Sequence, residues 1–210
     1  MEGFAHRFRI ARQLSCEALS RLVLPVYCRY WGVSCGRGLH SAGWPLFRKT
    51  PGSTFAIGAN CRLLSKFQYN LHGLNRRCMF STLRHTAALT IGDDFGASGL
   101  VIACADRIDI GDRVMCGANV TITDTDSHSL DYRQRHPEHF GIERRNWKED
   151  VTTRPVRIQD DVFLGMNVLV LKGVTIGART VVGAGSIVSS SLPPDVLATG
   201  APARPVKSLA

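Results

Sequence analysis

No apolar run in this 210-residue chain approaches the ~18–20 residues that a bilayer span requires. The longest, over residues 162–171, is broken by Gly165 and Asn167. Arg7, Arg9 and Arg12 interrupt the N-terminal stretch, so it lacks the apolar core of a secretory leader. With 20 glycines and 9 prolines, both aperiodic, the chain is neither collagen-like nor a linker. Its seven cysteines, Cys16, Cys28, Cys35, Cys61, Cys78, Cys104 and Cys116, form no C-x-x-C and no paired spacing. They read as reduced thiols of a cytoplasmic protein, several of them filling positions that suit a small hydrophobe. Acidic residues are scarce: 17 against 26 Lys and Arg, a net charge of +9. Residues 1–50 carry +6 of it, which favours an anionic partner. A 44% hydrophobic and 20% charged composition fits a folded chain, and the length suits one well-buried domain.

What the sequence does have is a repeat. From Ile158 an aliphatic residue recurs every six positions: Ile158, Leu164, Val170, Ile176, Val182 and Val188. Glycine follows at Gly165, Gly177 and Gly183, and small or β-branched residues stand four after, at Val162, Val168, Val174, Thr180 and Ser186. Six residues rotate a helix by ~600°, so a period of six keeps no helical face. A plain strand has period two and needs no periodic glycine. The repeat runs upstream through Ile110-Gly111, Cys116-Gly117 and Ile122, then back to Ser98 and Cys104, with a fainter copy from Ile57-Gly58 to Leu63. Each hexapeptide reads as a short strand and a tight turn. Three make one triangular coil, and stacked coils bury an apolar prism.

These passages resemble the hexapeptide-repeat acyltransferases over roughly residues 33–207. The match is carried by IGDRV from Ile110, TDTDSHSLD from Thr123 to Asp131, the repeat from Pro155 to Val188, and PPDVLATGAPAR from Pro193 to Arg204. It leans toward the sugar O-acetyltransferase branch, with galactoside, maltose and surface-polysaccharide O-acetyltransferases. The resemblance implies an all-β fold, a left-handed parallel β-helix, and a homotrimer with active sites between subunits. It also implies acetyl-CoA as co-substrate, a sugar or surface-glycan hydroxyl as acceptor, and no required metal.

The repeat stops at Asp124 and resumes near Pro155. The intervening loop, residues 125–155, holds Asp126, His128, Asp131, His136, His139 and Trp147. A loop this long inside a compact domain points to function. Imidazoles titrate near pH ~6.5, which suits a general base. Where the family carries its catalytic histidine, this chain has His128. Asp124 and Asp126 are candidates to orient it or to bind the acceptor; His136 and His139 read as ordinary loop residues. By resemblance, Gly165, Met166, Ala184 and Ser189 line the acetyl-CoA groove, and Arg204 and Lys207 meet nucleotide phosphates. Two departures stand out: Ser190 replaces a frequent basic residue, and Phe163 replaces a frequent Trp. Cys104 and Cys116 lie on the repeat register and so point inward, which argues against a cysteine nucleophile.

Residues 1–32 form a separate unit. Phe4, Phe8, Ala11, Ser15, Ala18, Leu22, Val26 and Tyr30 fall at helical spacing among arginines, and Pro25 should end or kink the helix. The helix reads either as a cap on the prism or as a basic amphipathic contact with the inner face of the membrane. Residues 66–90 break the repeat again and read as irregular coils beside the acceptor site. The alternatives are an acetyltransferase of a small molecule such as an antibiotic or amino sugar, a non-catalytic β-helix scaffold, and a metalloenzyme needing three histidines across stacked coils. No nucleic-acid recognition motif accompanies the positive charge.

Overall fold

A computed structural model describes residues 2–140 and 151–210. Its body is a three-sided prism of parallel strands, a left-handed β-helix. The first face stacks β1 (Ser34–Cys35), β4 (Thr54–Ile57), β7 (Ala88–Ile91), β10 (Arg107–Ile110), β13 (Val156–Ile158) and β16 (Thr175–Ile176). The second stacks β2 (His40–Ala42), β5 (Arg62–Leu64), β8 (Gly96–Ser98), β11 (Met115–Ala118), β14 (Phe163–Leu164), β17 (Val181–Val182) and β19 (Val196–Gly200). The antiparallel β20 (Ala203–Ser208) closes it. The third stacks β3 (Leu46–Arg48), β6 (Met79–Thr82), β9 (Val101–Cys104), β12 (Thr121–Thr123), β15 (Leu169–Val170) and β18 (Ile187–Val188). From β1 to β18 each strand pairs with those three before and after it, giving six coils, and β19 then pairs with β17.

The register shows why six is the period. Ile57, Ile91, Ile110, Ile158 and Ile176 form one inward column. Leu63, Ala97, Cys116, Leu164, Val182 and Ala198 form the second. Phe47, Phe80, Ile102, Ile122, Val170 and Val188 form the third. Every residue of these columns is buried. The small residues four after the aliphatics, Val162, Val168, Val174, Thr180 and Ser186, are also at most 1% exposed, because they fold under the corners. Burying such columns in continuous contact is the main stabilising term.

The corner glycines answer to a side-chain ladder. The Asp93 carboxylate accepts from Ala59 N–H at 2.7 Å, Asp112 from Asp93 N–H at 2.8 Å, and Asp160 from Asp112 N–H at 3.0 Å. A Cβ on Gly111 would lie 2.3 Å from the Asp160 Oδ1 atom. Glycine is required there to let the next coil's carboxylate reach the backbone. Beside the ladder, Arg113 pairs with Asp161 at 2.7 Å, and Arg179 pairs with Asp195 at 2.5 Å.

Helix α1 (Glu2–Tyr30) runs without a break through Pro25, contrary to the expected stop. Pro25 is exposed, so the carbonyl it leaves unpaired has access to water, and buried Leu24 and Cys28 hold the flanking turns. The helix caps the first coils. Ser20 Oγ accepts from Ser41 N–H at 2.8 Å, and Glu17 receives Arg62 at 2.8 Å. Burial pushes the Glu17 carboxyl up, but hydrogen bonds from Arg62 and Gln13 and the nearby positive charge outweigh it, leaving the group below its ordinary range. The packed stripe is therefore Glu17, Ser20, Leu24 and Cys28. The stripe that the sequence singled out faces solvent: Leu22 is 74% exposed, Val26 67% and Tyr30 81%.

Residues 66–90 are only partly irregular. β6 and β7 fall within them and pair in register, so the true insertion is residues 65–78, with one 3-10 turn at Phe67–Tyr69. Arg76 fastens it to the later coils, donating to Gly99 O at 3.0 Å, Asn119 O at 2.6 Å and Thr121 Oγ1 at 2.7 Å.

Candidate active site

The long loop leaves the third face at the end of β12, and its neck is closed by several ties. Thr125 and Thr153 form an antiparallel bridge, Asp126 N–H donates to Thr152 O at 3.2 Å, and Arg154 N–H donates to Asp124 O at 2.9 Å. Lys172 from the next coil pairs with the Asp126 carboxylate, and Arg84 reaches Val151 O at 2.7 Å. His128 stands exposed two residues beyond this neck, after Ser127 at φ +64°. Its backbone thus springs from a fixed point at the edge of the prism. Trp147 lies outside the described residues.

The two aspartates part company. Asp124 is 0% exposed; its carboxylate accepts from Ala105 N–H at 2.7 Å and Asp106 N–H at 2.8 Å, with the Cys104 thiol at 3.5 Å. Burial holds its pKa above the ordinary carboxylate range despite those hydrogen bonds. Both oxygens are committed to the turn after β9. This corrects the expectation that Asp124 meets the acceptor or orients His128. Asp126 carries its charge at the loop neck, against Lys172. Burial, reinforced by Asp124, pushes the Cys104 thiol well up, and burial does the same to Cys116, so neither offers a thiolate.

The residues assigned to the acetyl-CoA groove do not all meet. Gly165, Met166 and Ala184 stack on the corner between the second and third faces, where Gly185 N–H donates to Met166 O at 2.8 Å. A Cβ on Gly165 would lie 2.6 Å from Ala184 N, so this corner is closely packed backbone with little side chain. Ser189, Lys172 and the loop bearing His128 lie at the opposite edge of the third face, on the far side of β12, β15 and β18. Arg204 and Lys207 are exposed on β20. Arg204 donates to Ser190 Oγ at 3.0 Å, which brings a guanidinium beside the serine that the resemblance marked as a departure. That contact was beyond sequence reading, because 14 positions separate the two residues.

The three histidines of the metalloenzyme alternative do not converge across coils. His136 and His139 cluster with Glu138, ligand atoms within 4.8 Å of one another and all exposed, and among the described residues His128 is not part of that group.

A coiled stack of hexapeptides with a closed-neck loop defines the class: a left-handed β-helix of hexapeptide repeats. The family model described as "Bacterial transferase hexapeptide (six repeats)" matches residues 155–190. The galactoside O-acetyltransferase of Lactococcus lactis is 36% identical over 149 residues, 70% of this chain and 59% of that protein. The galactoside O-acetyltransferase of Escherichia coli is 34% identical over 120 residues, 57% of this chain and 53% of that protein. A solved hexapeptide-repeat acetyltransferase from Vibrio cholerae is 26% identical, covers 99% of this chain and 90% of its own, and superposes with a TM-score of 0.56. These matches support a place for the chain among the hexapeptide-repeat acyltransferases. It spans about half the length of the curated relatives it matches.

Proposed function

We propose that this protein transfers the acetyl group of acetyl-CoA to a sugar hydroxyl, with His128 as general base and a homotrimer as the working unit. The observation that carries the reading is the placement of an exposed histidine on a rigidly closed loop neck, in a chain matched to two galactoside O-acetyltransferases. The His128 imidazole takes the proton of the acceptor hydroxyl as its oxygen bonds to the thioester carbonyl. The tetrahedral oxyanion then collapses, the carbon–sulfur bond breaks, and the proton passes from His128 to the departing CoA sulfur. Gly165, Met166, Ala184 and Ser189 are the groove, and Arg204 and Lys207 meet the phosphates.

The same geometry supports the trimer. In one chain His128 and the Gly165–Ala184 corner lie at opposite edges of one face, so a neighbouring prism would bring the two together. The outer surfaces support this. On the third face Leu46, Met79, Val101, Leu169 and Ile187, interrupted by Thr121 between Val101 and Leu169, form a partly exposed and mostly apolar column, and on the second Met115 and Phe163 stand adjacent and exposed. The first face presents Thr90, Asp109, Arg157 and Thr175 instead. Residues 1–32 form the capping unit, residues 33–207 the acyltransferase domain. No described helix is long and apolar enough to cross a membrane. The outward face of α1 carries Leu22, Val26 and Tyr30 beside Arg21 and Arg29, which supports contact with an anionic membrane surface from the cytoplasmic side.

Mixing two inactive variants tests the shared site. His128→Ala loses the base and Ala184→Trp fills the groove; each alone should lose at least 100-fold in turnover. Refolded together, they should recover activity at hybrid sites. No recovery, with both still binding partners in a trimer, would place base and groove in the same chain and overturn the reading.

A further inference from the structure

The insertion at residues 65–78 builds a second feature that the acetyl-transfer reading leaves unused. Its two ends are pinned together, because Cys78 N–H donates to Ser65 Oγ at 3.2 Å. That sets Lys66, just after the exit, beside Arg77, just before the return. Gly43 admits the exit strand to the first coil: a Cβ there would lie 2.9 Å from the Lys66 Cβ. Next to them stands Trp44, 49% exposed, its ring braced edge-to-face on Tyr27 with centroids 5.8 Å apart. Together Gly43, Trp44, Ser65, Lys66 and Arg77 line an open cavity of about 330 Å³.

Three properties make this cavity more than a bland basic surface. No carboxylate lines it, and among the described residues the charged ends of Lys66 and Arg77 have no hydrogen-bonding or ionic partner. Glu17, the acid on the adjacent helix face, is already held by Arg62 and Gln13. The indole is braced on Tyr27, which lowers the cost of ordering the flat face it offers. Finally, the backbone of Arg77 follows directly on Arg76, whose guanidinium is fastened to coils three and four. Two cations lining one cavity beside a braced aromatic ring are the complement of a sugar ring that carries negative charge.

The cavity lies on the corner between the second and third faces, the corner that also holds Gly165 and Ala184 further along the prism. Strand stacking at about 4.8 Å per coil puts it roughly 10–14 Å, along the prism axis, from the coil that bears His128. We infer that Trp44, Lys66 and Arg77 form an acceptor subsite for an acidic saccharide, with the sugar ring on Trp44 and its phosphate or carboxylate on Lys66 and Arg77. This rests on the acetyltransferase reading for the word acceptor, but the binding itself does not.

The test titrates the full chain, without acetyl-CoA, with glucose 1-phosphate, glucuronate, glucose and inorganic phosphate, followed by tryptophan fluorescence and calorimetry. One or both acidic sugars should bind at least 10-fold tighter than glucose and than inorganic phosphate. Which of the two binds names the acidic group. K66Q/R77Q should lose about 10-fold for the acidic sugar and keep wild-type affinity for acetyl-CoA, and W44F should abolish the fluorescence change. Acidic sugars that bind no better than glucose, inorganic phosphate that binds equally well, or an unchanged K66Q/R77Q would each overturn the inference. If acetyl-CoA binds while acidic sugars do not, the subsite alone fails. If acidic sugars bind while acetyl-CoA does not, the transferase reading alone fails.

Discussion

The two ends of the prism are built on different principles. In the first two coils the interior is aromatic. Phe47 meets Phe55 and Phe80 at 5.6 and 5.8 Å between centroids, and Tyr27 of the capping helix stacks on Phe47 at 5.3 Å. In coils five and six the three columns hold Ile, Leu and Val alone, one residue per column per coil, with Thr180 and Ser186 buried at the corners. Large rings fill space without strict periodicity, so the early coils tolerate a 14-residue insertion and a helix. Small aliphatics fill the same triangle only if each lands in its column, so the late coils keep the repeat. The consequence for function is a division of labour. The regular end offers close-packed backbone for a long, extended co-substrate. The irregular end carries the varied side chains that discriminate an acceptor.

Breaking the aromatic end should have the largest effect on stability. Phe47→Ala removes the ring that touches Tyr27, Phe55 and Phe80, and should cost about 3–5 kcal/mol by thermal or denaturant unfolding. A loss under 1 kcal/mol would show that the early coils do not depend on that cluster. At the regular end, Gly111→Ala drives a Cβ to 2.3 Å from Asp160 Oδ1 and should cost about 1–3 kcal/mol. Gly73→Ala, in the insertion, meets nothing within 4 Å and should cost only about 1 kcal/mol, for its positive φ of 78°. Equal losses at the two glycines would erase the distinction between corner and insertion.

The smallest effect is the acid response. Hydrogen bonds from Arg113 and Arg179 hold Asp161 and Asp195 below the ordinary range, and Glu17 is lowered as well. Groups lowered on folding contribute stability above their unfolded pKa of about 4, and lose it as the pH falls through the folded value. The thermal midpoint should therefore hold steady down to about pH 5 and fall below pH 4. Asp124 runs the other way: its raised pKa favours the folded state at low pH and loses that contribution as pH rises through it. Asp124→Asn should make the acid fall steeper; a shallower fall would reverse the sign assigned to its burial.

Legibility followed the same division. The late coils could be read residue by residue, because Ile158 to Val188 keep one period and each member is buried as the period requires. The early coils could not: Met79–Thr82 and Ala88–Ile91 pair in register, yet an insertion and two turns hide their spacing. The helix was legible but the face that packs was not, since hydrophobicity marks Leu22, Val26 and Tyr30 while Glu17 and Ser20 are held by hydrogen bonds that composition does not reveal. The exposed histidine was legible from its place after the last regular coil. Asp124 was misread because neighbours in sequence turn to opposite sides where a strand enters a corner. The link between Arg204 and Ser190, and the meeting of Trp44 with Lys66 and Arg77, depend on stacking between coils.

The most direct test of the central claim is a parallel calorimetric titration of acetyl-CoA into wild type and His128→Ala, followed by turnover of both. The account predicts micromolar binding by each and a fall of about 10²–10⁴-fold in turnover for the variant alone. Absence of acetyl-CoA binding by the wild type, or near-normal turnover by His128→Ala, would contradict it.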